Sequence, residues 1–226
     1  MKTKATGLLA RPRTRRHDEA LKTSSFLTVV FRQMYRPMAA KIAPKKVVKV
    51  LKEAGVVGLL LGTHGIGGWR SQARATQDVD LLIKKRDHAK AVRAIREAFP
   101  KLEVDDTRIV TRFLDASSGT SIIDLMKPSN TLFKVAFQYS IAVGDTHRVP
   151  ELELALVTKY AAMVSPNRPQ SKKLVDAGDF FDMVESNLAD IDLEKVQELA
   201  RMVFPRGSAE VTRFIRDIEA GRKLEF

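Results

Sequence analysis

Residues 59–83 read LLLGTHGIGGWRSQARATQDVDLLI, and the fold turns on how this stretch is read. An apolar run breaks at a glycine-rich turn, then resumes as a second apolar run that carries Asp78 and Asp80. Residues two apart on a strand share a face. Both carboxylates therefore leave the sheet side by side, ~7 Å apart at a rise of ~3.3 Å per residue. Like charges that close repel each other and are costly to desolvate. A divalent cation relieves both problems, and Mg²⁺ (or Mn²⁺) takes carboxylate oxygens together with phosphate oxygens. The glycines upstream let backbone approach a phosphate closely. The plainer reading of the same residues is a strand with one solvated face after an ordinary turn.

A third acid lies further on, in SIIDLM at 121–126, where Asp124 sits between apolar neighbours. A carboxylate inside a buried-type strand is costly without a partner. Either a metal or a salt bridge to a nearby Arg or Lys accounts for it.

The chain has 226 residues, of which 44% are hydrophobic, a globular composition. Lys plus Arg is 39 against 27 Asp plus Glu, a net charge of +12 that suits an anionic partner such as nucleotide or RNA. Much of the excess lies in the first 52 residues. There is no cysteine, which excludes disulfides, thiolate metal sites and cysteine nucleophiles. No apolar run reaches the ~20 residues needed to span a bilayer. No signal-peptide core is present. A cytoplasmic protein with no membrane partner is expected.

Taken in order, residues 1–43 read as a basic N-terminal arm with a short helix at 21–35. Its apolar residues are Phe26, Leu27, Val30, Phe31 and Met34. Residues 1–20 read as a solvated tail, or alternatively an RNA-binding arm. Residues 44–149 read as an α/β domain. Pro44 opens a helix, 56–61 is a strand, and 64–71 is a helix under the site. A helix follows at 87–99, then strands at 102–104, 108–114, 121–126, 139–143 and 147–149. Residues 150–226 read as a helical domain. Its helix at 172–187 carries the apolar residues Leu174, Val175, Phe181 and Val184. Asp192 caps the next helix and Ser208 the last.

These segments together resemble the nucleotidyltransferase superfamily, whose fold is that of the DNA polymerase β palm. The likeness is greatest to small bacterial abortive-infection toxin nucleotidyltransferases. It rests on the glycine turn, on RATQDVD at 74–80, on IIDLM at 122–126, and on two later segments, PELELALVTKYAAM and RPQSKKLVDAGDFFDMV. It covers about residues 56–184. It implies an α+β fold: a mixed sheet with flanking helices, followed by a C-terminal helical bundle. It implies that Asp78, Asp80 and Asp124 hold the catalytic metal, with Asp124 also the base near the acceptor. Gly62 and Thr63 would approach a nucleoside triphosphate and Lys159 would pair with its phosphates. Arg74, Lys172 and Lys173 are further phosphate candidates, and Asp176 has a helix-orienting or substrate role. His64, at a helix start, reads either as a ligand contact or as a hydrogen-bonded structural residue. The turn departs from the pattern by carrying Gly-Thr where Gly-Ser or Gly-Gly is usual.

The reaction implied is transfer of an NMP from an NTP to an RNA end, a protein hydroxyl or a small molecule. Two other readings stand beside it. One is a nucleotide- or RNA-binding module without catalysis. The other is a toxin with an antitoxin protein as partner.

Overall fold

The computed structural model describes residues 13–35 and 42–223. The expected α+β class is what these residues form: a mixed sheet with flanking helices, followed by a helical half. The elements run α1 (Arg13–Tyr35), α2 (Pro44–Glu53), β1 (Leu59–Leu60), α3 (Gly62–Ile66), β2 (Val79–Leu82), α4 (His88–Ala98), β3 (Leu102–Asp106), β4 (Val110–Asp115), β5 (Ser121–Met126), α5 (Thr131–Val135), β6 (Ser140–Val143), β7 (His147–Pro150), α6 (Leu152–Val164), α7 (Gln170–Asn187), α8 (Leu193–Arg201) and α9 (Gly207–Glu219).

The sheet has the order β3-β4-β5-β2-β1-β7-β6. β2 runs parallel to β5 and antiparallel to β1. Alternation along the central strands divides two apolar cores between the faces. Leu60, Val79, Leu81 and Ile83 pack with Val47, Val48 and Leu51 of α2 and Ala91 and Ile95 of α4. Leu59, Leu61 and Leu82 pack with α6, α7, α8 and α9, around Tyr160, Phe180 and Phe214. Asp80 alternates with Val79 and Leu81, so it emerges on the face covered by the helical half.

Three helices differ from the sequence reading in extent or in the face they bury; α3 spans Gly62–Ile66 where 64–71 is expected. α1 begins at Arg13, eight residues before the expected start at 21, and is not a solvated tail over 14–20. The first 12 residues of the basic arm lie outside the described residues. Its buried stripe is His17, Leu21, Ser24, Ser25, Thr28 and Arg32, while Phe26, Val30 and Met34 are exposed. In α7 Val184 is buried and Phe181 packs on the core, but Leu174 and Val175 are 58% and 47% exposed, and Asp176 and Asp179 are buried. Ser24, Thr28 and Arg32 of α1 and Asp176 and Asp179 of α7 meet partners distant in the chain, which apolar periodicity cannot show, whereas the His17 ring nitrogens and Ser25 Oγ have no hydrogen-bond partner among the described residues.

Smaller differences follow local chemistry. Pro150, the first residue of the expected helical domain, ends β7, and α6 starts at Leu152. The last helix starts at Gly207, without a side-chain cap from Ser208. Asp192 does cap α8, its Oδ1 accepting from the Lys195 amide at 3.1 Å. No helix of the described residues is long and apolar enough to cross a membrane.

Candidate active site

Parallel pairing of β2 with β5 sets Asp80 directly beside Asp124. Asp78 lies one residue before β2. One oxygen from each of Asp78, Asp80 and Asp124 lies within 4.8 Å of the others. Thr76 Oγ1 donates to Asp78 Oδ1 at 2.9 Å, and Ser121 Oγ donates to Asp124 Oδ1. Among the described residues none of the three acids is ion-paired with Lys or Arg. Burial raises the Asp80 carboxyl well above the usual carboxylate range, and the charges of Asp78 and then Asp124 push it the same way; Lys159 and Arg168 oppose them. Burial also raises Asp124, against the Ser121 hydrogen bond. The cluster is thus a concentration of negative charge in a poorly solvated place, which the nearby cations Lys159, Arg168, Arg112 and Lys172 offset only in part.

The donor set is oxygen only and suits a hard divalent cation such as Mg²⁺ or Mn²⁺. The raised carboxyls are what a set of ligands awaiting such a charge shows.

The glycine turn meets this cluster directly. Gly62 has φ +54°, in the region that disfavours side chains, and a Cβ there would lie 2.0 Å from Asp80 Oδ2. Its bareness makes room for the carboxylate. Gly65 and Gly68 serve packing: a Cβ would meet the Leu60 carbonyl oxygen at 2.0 Å in the first case and the His17 ring at 2.4 Å in the second. Trp69 is likewise core, its Nε1 donating to the Pro150 carbonyl at 2.9 Å.

The three acids face a cleft of about 1090 Å³ between the sheet and the α6–α7 pair. Gly62, Thr63, Arg74, Lys159, Lys172 and Asp176 line it, as do Arg108, Arg112 and Arg168. His64 and Lys173 do not. His64 is buried, shares a 2.8 Å hydrogen bond between its Nδ1 and Ser24 Oγ, and is held at about pKa 3 by burial and by Arg32 and Arg74. It is a neutral structural histidine.

The cations of the cleft are largely engaged. Lys159 Nζ, 7% exposed as a residue, lies 2.8 Å from Asp176 Oδ1 and 2.7 Å from Asp179 Oδ2. Arg168 pairs with the other oxygen of Asp176. Arg74 donates through Nε and Nη2 to the two oxygens of Asp179, at 3.1 and 2.7 Å. Arg70 reaches Asp179 at 3.2 Å and Asp182 at 2.9 Å. Burial opposes ionisation of Asp179, yet Arg74 and Lys159 outweigh it and hold its carboxyl below the usual range.

Sequence reasoning assigned no role to Arg168 or to Asp179. The signal available was the spacing of Asp176, Asp179 and Asp182, which share one helix face.

No family model matches the chain, and no curated protein matches it. Several solved structures are similar to it. An H. pylori protein assigned as a nucleotidyltransferase aligns over 93% of this chain and 96% of its own, at 11% identity and a TM-score of 0.47. An antigenic nucleotidyltransferase-like protein from Paracoccidioides brasiliensis covers 88% of this chain and 93% of its own, at 14% identity and a TM-score of 0.43. Terminal uridylyl transferase 4 from Trypanosoma brucei, with bound GTP, covers 81% and 75% at 12% identity and a TM-score of 0.28. These likenesses concern the arrangement of the chain and say nothing of which residues act here.

Proposed function

We propose that the chain is a metal-dependent nucleotidyltransferase that moves an NMP from an NTP to an acceptor hydroxyl. The observation that carries this reading is the meeting of Asp78, Asp80 and Asp124 on one side of a large cleft, none of them ion-paired with Lys or Arg among the described residues. Asp78, Asp80 and Asp124 would hold a divalent cation, which when bound neutralises charge on the phosphates and polarises the oxygens that exchange.

The chain's own groups supply the rest. Burial raises the Asp124 carboxyl, which makes it a better proton acceptor than an ordinary carboxylate. Ser121 occupies its Oδ1 and leaves Oδ2 for the acceptor hydroxyl's proton. As the acceptor oxygen bonds to the α-phosphorus, pyrophosphate leaves with the bonding pair. Lys172 and Arg108 line the cleft without an ion pair among the described residues, and offset the charge of that leaving group. Thr63 and Gly62 set the floor on the β1 side.

A second reading, nucleotide binding without turnover, is favoured by one observation: Lys159 and Arg168 are already held by Asp176, and Lys159 by Asp179 as well. One experiment separates the two. The protein is incubated with each α-labelled NTP, Mg²⁺ or Mn²⁺, and RNA or protein extract. Label moved by the wild type and not by Asp80→Asn supports transfer. NTP binding by calorimetry with no label moved under either metal supports the binding module.

A further inference from the structure

The stripe that α1 buries is mostly polar, and three of its polar groups, Ser24, Thr28 and Arg32, bond segments that build or adjoin the cleft. Ser24, Thr28 and Arg32 are spaced by four residues, so they lie in one row along the helix. Ser24 Oγ bonds His64 in α3, two residues beyond Gly62. Thr28 Oγ1 accepts from the Thr76 amide at 3.2 Å. The Arg32 guanidinium is fully buried and donates to the Gln77 carbonyl through Nε at 3.2 Å and Nη2 at 2.6 Å. It also donates to the carbonyls of Ile42 and, at 3.4 Å, Ile122, the latter on β5 two residues before Asp124.

Burying a guanidinium is expensive, and a helix that merely covers a core presents apolar groups. Here Phe26, Val30 and Met34 point outward instead. Among the described residues, 75–78 have no strand partner, since β2 begins only at Val79. α1 holds the Thr76 amide and the Gln77 carbonyl within that segment.

We propose that Arg32 and Thr28 are positioning residues that fix the 76–77 backbone and thereby aim Asp78 at Asp80 and Asp124. The role rests on the carboxylates being a metal site, as argued above. Arg32 touches no reacting atom. It acts through the Gln77 carbonyl, the peptide group that joins Gln77 to Asp78. A lysine in its place keeps the charge but loses the planar fork that reaches three carbonyls at once.

The test uses the full-length chain with two substitutions and a control. Arg32→Lys removes the fork; Thr28→Val keeps the volume and removes the acceptor. Val211→Ala opens a cavity in α9, in the core of the helical half and away from the cleft. Two readouts are taken under conditions where all variants are folded by circular dichroism: hydrogen exchange of the 75–80 segment, and Mn²⁺ affinity by water-proton relaxation.

The expected result is faster exchange at 75–80 in both α1 variants, and a Mn²⁺ affinity lowered about 10–100-fold in Arg32→Lys. Val211→Ala matches wild type in both. The proposal is overturned if the α1 variants exchange and bind as wild type does, or if Val211→Ala loosens 75–80 equally. Should Arg32→Lys not fold, Thr28→Val decides through the same exchange readout. A wild type that binds no Mn²⁺ removes the proposed function, and exchange at 75–80 still decides whether α1 holds that segment.

Discussion

Replacing Gly62 with alanine separates a backbone cost from a contact with Asp80. Gly62 and Gly119 both have positive φ, +54° and +65°, but a Cβ at Gly119 meets nothing within 4 Å. A residue with a Cβ loses about 1–2 kcal/mol in that region, and the stiffer unfolded chain returns about 0.4–1 kcal/mol. Gly119→Ala should therefore cost at most about 1.5 kcal/mol, a fall of up to about 6 °C in Tm for a chain of this size. Gly62→Ala carries the same cost plus an overlap at 2.0 Å with Asp80 Oδ2 and 3.0 Å with its Cγ. Relief requires the Asp80 carboxylate to rotate away from Asp78 and Asp124. Thermal melting paired with Mn²⁺ titration reads both effects. The expected pattern is a larger fall in Tm for Gly62→Ala, with Mn²⁺ affinity lost in that variant alone. Equal melting losses with unchanged Mn²⁺ affinity in both would refute the claim that the glycine makes room for the carboxylate.

Asp179→Asn should cost ~3 kcal/mol in a urea titration, because it leaves Arg74 and Lys159 facing a neutral group in a buried place. A cost under 0.5 kcal/mol would mean that the network joining the sheet to α7 is dispensable. Asp192→Ala removes the cap of α8 and should cost ~1 kcal/mol, with cleft activity unchanged. In acid, Asp115, Asp179 and Asp182 have folded-state carboxyls held below the usual range. Their contribution is present above the unfolded value of ~3.9 and is lost as pH falls below it. Melting curves between about pH 5 and 3 should show that loss, and Asp179→Asn should flatten it.

Most of the strands, and Asp78 and Asp80 sharing one face, were legible because strand alternation and apolar flanks are local signals; that Asp124 joins them was implied by the family resemblance alone. The register that sets Asp80 beside Asp124 follows from two apolar strands burying both faces, a constraint that a one-residue slip would violate. Less was legible where polar groups are buried. α7 turns Asp176 and Asp179 inward because Lys159, Arg74 and Arg168 meet them there, and none of these is close enough in sequence to mark a helix face. α1 packs through Ser24, Thr28 and Arg32 for the same kind of reason, which reverses the face that Phe26, Val30 and Met34 suggest. His64 stood open between ligand contact and structural residue. Only its partner Ser24, on a helix whose inward face sequence misjudged, assigns it to the second.

The central claim is that three carboxylates are gathered for a divalent cation, and its most direct test is a reversal of sign. The Asp80 carboxyl is raised in the folded state by burial and by its two neighbours, so near pH 7 its ionised form disfavours folding. Metal-free Asp80→Asn should therefore melt above metal-free wild type, while saturating Mn²⁺ should raise the melting temperature of wild type and leave Asp80→Asn unmoved. A wild type that Mn²⁺ does not stabilise, or a metal-free Asp80→Asn that melts below it, would contradict the account.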